Sequence, residues 1–309
     1  MNIPTKSPHL VDRAVRYLRE NASTEPEAAL VADTLAQRFA TRGLVSKPAT
    51  PPAMELAPQL GVETLERAGM ISSREQRDRI AEEFRLIGHR VRATIASVAA
   101  GTPGRNLVMV TSARPGEGKS FTALNLAASL ALGGETPVIL ADADIRPGSL
   151  TGVLGLENHF GMLDLVASPR QLGEAALVRS QVNGLSFLPI GGGIDPDERA
   201  LISVHHPIAG LLSALARQFP DALIIVDAPP CLSSSDPGAL AAIAAQALVV
   251  VEAEKTRRKE IEAALDLIEA CPNIGLLLNK IVLTTRDAFG AYLCVRLRKA
   301  RCGASVLRG

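Results

Sequence analysis

The chain has no Trp and only two Tyr among its 309 residues, so its core must be built from Ala, Leu, Ile and Val. Its formal net charge is +1, which gives no global field to attract nucleic acid or an acidic partner, and nothing points to sequence-specific DNA binding. The four cysteines, Cys231, Cys271, Cys294 and Cys302, have no C-x-x-C spacing, and the first residues do not resemble a secretory signal. A reducing cytoplasm is the expectation. The longest apolar stretch, Pro237 to Val251, is short of a bilayer span and contains Gln246. It reads as a buried helix leading into a strand over Ala247 to Val251, so the chain is not expected to span a membrane by itself. His205-His206 has no Cys, Asp or Glu set at ligand spacing, which argues against a metal site there.

What is present centres on Val110 to Ser120, VTSARPGEGKS. An apolar strand, Asn106 to Thr111, runs into a Gly-rich turn, and Lys119-Ser120 opens an Ala/Leu-rich helix that stops at Gly133-Gly134. This is the layout of a phosphate-binding loop. Gly116 and Gly118 let backbone N–H groups approach a polyphosphate, and the helix end adds partial positive charge. Lys119 adds a full charge, and the Ser120 hydroxyl is suited to Mg²⁺. The nucleotide-contacting set is therefore Ala113, Arg114, Pro115, Gly116, Glu117, Gly118, Lys119, Ser120 and Phe121. Ala113 stands where the strict pattern G-x-x-x-x-G-K-S/T has its first Gly.

Two further apolar runs deliver acids at strand ends. VILADADIRP presents Asp142 and Asp144 about one β-α-β crossover after the loop, and LIIVDAPP closes on Asp227 before a proline pair. Each aspartate alone could be a helix cap or a solvated strand end. Three strand-end acids with a phosphate loop instead point to a nucleotide-binding site at the strand ends. The run Leu278-Asn279-Lys280 ends the last strand, and Asn279 is either an adenine contact or an ordinary strand-to-loop residue.

Strands expected over Asn106–Thr111, Val138–Ala141, Leu185–Pro189, Leu223–Val226, Ala247–Val251 and Ile274–Leu278 alternate with helices. The fold class is α/β, a doubly wound and mostly parallel sheet of P-loop NTPase type with a small helical N-terminal extension. The expected organisation is a helical segment at 1–45, a Pro-rich linker at 46–70, the catalytic domain with its leading helix at 71–288, and a basic tail at 289–309. The leading helix is predicted over Ser72 to Ala100, with Ile80, Phe84, Ile87, Val91 and Ile95 on one face and Ser73 as N-cap.

PGEGKS, ADADIRP and IIVDAPP together resemble the bacterial tyrosine kinases of P-loop type that control exopolysaccharide synthesis. Leu10 to Val15, Gly69-Met70-Ile71 and IAEEFRLI look like the autokinase encoded with PEP-CTERM/exosortase loci. The resemblance implies ATP-dependent phosphorylation of protein tyrosine, with ATP and Mg²⁺ as cofactors. It gives Lys119 the β/γ-phosphates, Ser120, Asp142 and Asp227 the Mg²⁺, the pair Asp142 and Asp144 the organisation of the metal and the activation of the tyrosine hydroxyl, with Asp142 as base, and Asp227 the metal-bound water. Arg146 is read as the ion-pair partner of Asp144. The implied partners are protein tyrosine substrates, further copies of the chain, and a membrane-spanning polysaccharide chain-length regulator. The last would hold this cytoplasmic protein at the inner membrane.

Three features depart from the family pattern. The tail offers one phosphoacceptor candidate, Tyr292, where a tyrosine cluster is usual. The self-assembly motif begins with Glu82 and Arg85, but Gly88 stands where a basic residue is expected. A membrane-spanning segment is missing, so the regulator would be a separate chain. The alternative is an ATPase switch of ParA/MinD type, in which a signature Lys occupies the position of Arg114 and the basic tail lies on an anionic bilayer.

Overall fold

In the apolar runs, successive side chains point to opposite sides of a sheet, so a strand that is apolar throughout must be covered on both faces. A computed structural model of the chain describes residues 59–71, 74–167, 173, 176–191, 205–233, 237–281 and 295–297. Its strands are β1 (Leu107–Ser112), β2 (Val138–Asp142), β3 (Val178–Arg179), β4 (Leu185–Leu188), β5 (Leu223–Asp227), β6 (Gln246–Glu252), β7 (Ile274–Asn279) and β8 (Val295–Leu297). They form one sheet in the order β3-β4-β2-β5-β1-β6-β7-β8. The six central strands run parallel, and only the edge strands β3 and β8 are antiparallel to their neighbours. Those two short edge strands were not expected from the sequence; they carry two and three residues, too few for a periodic signal.

The helices are α1 (Val62–Arg67), α2 (Arg74–Ala96), α3 (Lys119–Leu132), α4 (Leu150–Val153), α5 (Met162–Ala167), α6 (His205–Gln218), α7 (Pro237–Ile243) and α8 (Arg258–Leu267). The sheet divides the interior into two cores. Leu107, Met109, Ile139, Ala141, Ile224, Val226, Val249 and Val251 face one side with α6 and α7. Their neighbours Val108, Val110, Val138, Leu140, Leu223, Ile225, Leu248 and Val250 face the other, against α3 and its cover α2. Alternation within each strand is thus the direct cause of the doubly wound architecture.

The linker placed at 46–70 does not extend through its last residues. Leu60 bridges Ser180 beside the sheet edge, with its N–H donating to the Arg179 carbonyl at 2.8 Å, and α1 follows at once. Leu60, Leu65 and Met70 are buried in the α3-side core. The prolines that suggested an extended chain end at Pro58, and the residues after it are apolar enough to pack. Asn125 of α3 fixes this arm, because its amide donates to Gly69 O (3.0 Å) and its Oδ1 accepts from Ile71 N–H (3.0 Å). The expected N-terminal helix, the N-cap Ser73 and Tyr292 lie outside the described residues, and of the basic tail only Val295–Leu297 is described, as strand β8.

Candidate nucleotide and phosphoryl-transfer site

β1 passes into the loop at the C-terminal edge of the sheet, where α/β folds of this kind bind ligands. Gly116 and Gly118 have φ of 84° and 96°, the left-handed region that L-residues avoid. A Cβ on Gly118 would stand 2.2 Å from Asn279 Nδ2, so the second glycine is required by close packing as well as by its backbone angle. Gly118 is also the N-cap of α3, and no side chain caps it. The first N–H groups of the helix are left for a ligand.

Asp142 and Asp227 are register partners across β2 and β5, and Val110 of β1 pairs with Asp227 on the other side. Three adjacent strands therefore end together beside Lys119. The Lys119 Nζ lies 2.7 Å from Asp144 Oδ2, 3.2 Å from Asp227 Oδ1 and 3.0 Å from Ser120 Oγ. Arg146 grips Asp144 with two bonds, Nε to Oδ1 at 2.8 Å and an Nη to Oδ2 at 2.7 Å. Asp142 is fully buried, with Oδ1 accepting from Asp144 N–H (3.0 Å) and Oδ2 accepting from Thr151 N–H (2.6 Å) and hydroxyl (2.7 Å). Thr151 carries no spacing signal that would have flagged it in the sequence.

The three carboxyls are electrostatically distinct. Burial alone would raise Asp144, but the Arg146 hydrogen bonds and the Lys119 charge outweigh it and hold the group at about 2. Asp227 is pushed up to about 6, first by burial and then by Asp142, with Lys119 opposing. Burial raises Asp142 as well, against its Thr151 bonds. Burial tends to lower Lys119, yet Asp227 and Asp144 leave it raised, so it stays an ammonium.

These residues fit a magnesium ion. Asp227 Oδ2 is a buried carboxylate oxygen without a hydrogen-bond partner, and it sits beside the Ser120 hydroxyl in a pocket holding more acids than bases. Among the described residues no group of three or more His, Cys, Asp or Glu side chains forms a protein-only cage. One hydroxyl and one or two carboxylates, with substrate phosphates completing the shell, is the usual way Mg²⁺ is held. Asp142 is the less available of the two proposed carboxylate ligands, since its Oδ2 already accepts two bonds.

Other expected contact residues also bond or pack within the protein. Phe121 is partly buried: it packs edge-to-face on Phe84 (centroids 6.0 Å apart) and lies 3.3 Å from where a Gly69 Cβ would be. Asn279 donates from Nδ2 to the Glu117 carbonyl at 2.9 Å and also lines a groove of about 280 Å³ with Phe84, Ile87, Phe121, Leu277 and Leu278. Arg114 is exposed and pairs with Glu260 of α8 at 3.1 Å. A larger cavity, about 580 Å³, lies at the opposite end of the sheet against Asn106 and Leu223 and contains none of the three acids. Cys231 is a packed thiol, raised by burial and 3.4 Å from Thr111 Oγ1.

On α2, Glu82 and Arg85 form an exposed pair at 2.6 Å. Gly88 is buried instead: a Cβ there would be 3.2 Å from Leu130 Cδ2. The third motif position thus faces α3, while the outward ridge continues to exposed His89. Among the described residues no helix is long and apolar enough to cross a membrane.

Comparison with known proteins agrees with this fold. The family described as ParA: NUBPL iron-transfer P-loop NTPase matches residues 104–281. The putative tyrosine-protein kinase EpsB of Ralstonia nicotianae is 36% identical over 166 residues, covering 54% of this chain and 21% of EpsB. The chain therefore spans about a fifth of the length of that relative. Tyrosine-protein kinase YwqD of Bacillus subtilis is 31% identical over 189 residues, 60% of this chain and 76% of YwqD. Among solved structures, the kinase domain of Escherichia coli tyrosine kinase ETK superposes with a TM-score of 0.56 at 23% identity, covering 75% of this chain and 91% of that domain.

Proposed function

Because the chain belongs to the bacterial tyrosine-protein kinases built on the ParA-type P-loop NTPase domain, we propose that it transfers the γ-phosphoryl group of ATP to a tyrosine hydroxyl. The observation that carries this reading is the meeting of Lys119, Asp144 and Asp227 within 3.2 Å at the strand ends, directly behind an uncapped helix N-terminus. Phosphoryl transfer needs positioning and charge neutralisation more than covalent chemistry. The loop N–H groups and Lys119 hold the phosphate chain. Ser120 and Asp227 would hold Mg²⁺, with Asp142 adjoining; when bound, the ion neutralises phosphate charge and polarises the terminal phosphoryl group.

The acceptor proton has a destination. A tyrosine hydroxyl titrates near about 10 and needs a base close by at neutral pH. Asp144, held near 2 by Arg146 and Lys119, is a poor base. Asp142, raised by burial, is the better one. As the tyrosine oxygen bonds to the γ-phosphorus, the bond from that phosphorus to the β,γ-bridging oxygen breaks, ADP departs, and the phenolic proton passes to Asp142. The apolar groove beside Asn279 is suited to the adenine ring.

In the finer reading the protein is the cytoplasmic autokinase of a PEP-CTERM/exosortase exopolysaccharide system. A separate membrane-spanning chain-length regulator activates it, copies associate through the Glu82–Arg85 ridge, and Tyr292 is the acceptor nearest the C-terminus. Incubating the full chain with γ-labelled ATP and Mg²⁺, with and without the cytosolic segment of such a regulator, tests this. Label on tyrosine supports it. Label released only as inorganic phosphate identifies an ATPase switch instead.

A further inference from the structure

The shape of a phosphate loop depends on which way its peptide groups point, and here the loop is held from outside by residues that do not face the phosphates. Lys280 Nζ donates to Gly116 O at 2.6 Å and also meets Glu252 Oε2 at 3.2 Å, while Asn279 Nδ2 takes Glu117 O. Both loop carbonyls are thus turned toward the end of β7. The Glu117 side chain is only 3% exposed, an unusual place for a carboxylate. Its Oε2 accepts from Arg114 N–H at 2.8 Å, and its Oε1 accepts from the Thr256 hydroxyl. Thr256 Oγ1 in turn accepts from Glu252 N–H at 3.1 Å. A continuous relay therefore links the end of β6, through Thr256 and Glu117, to the Arg114 amide of the loop.

We propose that Glu117 and Thr256 form a latch that holds the loop in its nucleotide-receiving shape, which makes both of them positioning residues for nucleoside di- and triphosphates. This rests on the nucleotide-binding reading of the loop. A carboxylate is suited to the task because its two oxygens can take donors from two directions, one on the loop and one on the segment after β6. A residue that merely filled space there would be apolar. Since the latch acts on phosphate binding before and during transfer alike, its loss raises KM for ATP more than it lowers kcat.

Titration of the full chain with a fluorescent ADP analogue and Mg²⁺ tests the proposal. Thr256→Val is expected to weaken binding roughly tenfold, the scale of one lost hydrogen bond to a charged group, with Thr256→Ser recovering wild-type affinity within about twofold. Glu117→Gln should weaken binding similarly, and the double variant should bind no worse than either single one, because both break the same relay. If Thr256→Val does not fold by thermal melting, the near-isosteric Glu117→Gln carries the same test. Unchanged ADP affinity in the folded variants, no recovery with Ser, or strictly additive losses would overturn the latch. Failure of the wild-type chain to bind ADP at all would instead overturn the nucleotide reading beneath it.

Discussion

Lys119 and Asp144 form a buried ion pair of 2.7 Å even though Asp144 is already the bidentate partner of Arg146. Two cations converge on one carboxylate, while Asp227 forms its direct ion pair with Lys119 and keeps one buried oxygen without a hydrogen bond. The two acids consequently sit on opposite sides of their ordinary value of 3.8, at about 2 and about 6.

That asymmetry sets a stability trade at Asp227. Its proton is held more tightly in the folded protein than in the unfolded chain, so its contribution to stability is fully present below 3.8 and is lost as pH rises through about 6. Asp227→Asn is expected to stabilise the protein above pH 6 while removing most phosphoryl transfer. The gain should vanish toward acid. Thermal melts of both proteins across this range check it.

Arg146 works in the opposite direction. Asp144 is depressed in the folded state, so its contribution is present above 3.8 and lost as pH falls through about 2. Arg146→Gln should cost about 1–3 kcal/mol near neutrality, a penalty that shrinks as Asp144 protonates. Arg146→Lys should recover only part, because an ammonium cannot reproduce the two-pronged grip. Denaturant melts at neutral and acid pH distinguish these outcomes.

The two loop glycines should respond differently to alanine. Gly116→Ala meets no atom within 4 Å and suffers only its positive φ, so the expected cost is about 1 kcal/mol. Gly118→Ala would also push Asn279 off the Glu117 carbonyl, and it should weaken ADP binding by at least about tenfold. Equal affinity in the two variants would show that the approach of Asn279 is unimportant.

The Glu82–Arg85 pair is exposed and three residues apart on one helix, so it adds little to folding. Arg85→Ala should leave the melting temperature nearly unchanged while shifting the oligomer distribution toward monomer in light scattering. Gly88→Arg should not strengthen assembly. It should destabilise the domain instead, because the new side chain starts 3.2 Å from Leu130.

Much of this arrangement could be read from the residues. The four innermost strands, β1, β2, β5 and β6, are buried almost throughout because they are covered on both faces, as their apolar runs announced. Lys119, Asp142, Asp144 and Asp227 come together because parallel strands bring their C-terminal ends to one edge. Phe121 follows the loop in sequence, and only the fold shows that its ring packs against Phe84 of α2 while also lining the groove beside Asn279. The buried first turn after Pro58 was hidden by the proline content before it. Thr151 reaches Asp142 from α4, and Thr256 reaches Glu117 from the segment between β6 and α8; only the fold brings them there.

The central claim is that Lys119 and the strand-end acids act together on the terminal phosphoryl group of ATP. Phosphotyrosine formation from γ-labelled ATP, measured in parallel for the wild-type chain and for folded Lys119→Met and Asp227→Asn variants with the regulator segment present, tests it most directly. The account predicts labelled tyrosine from the wild type and at least about a hundredfold less from each variant. Undiminished labelling in Asp227→Asn would contradict it.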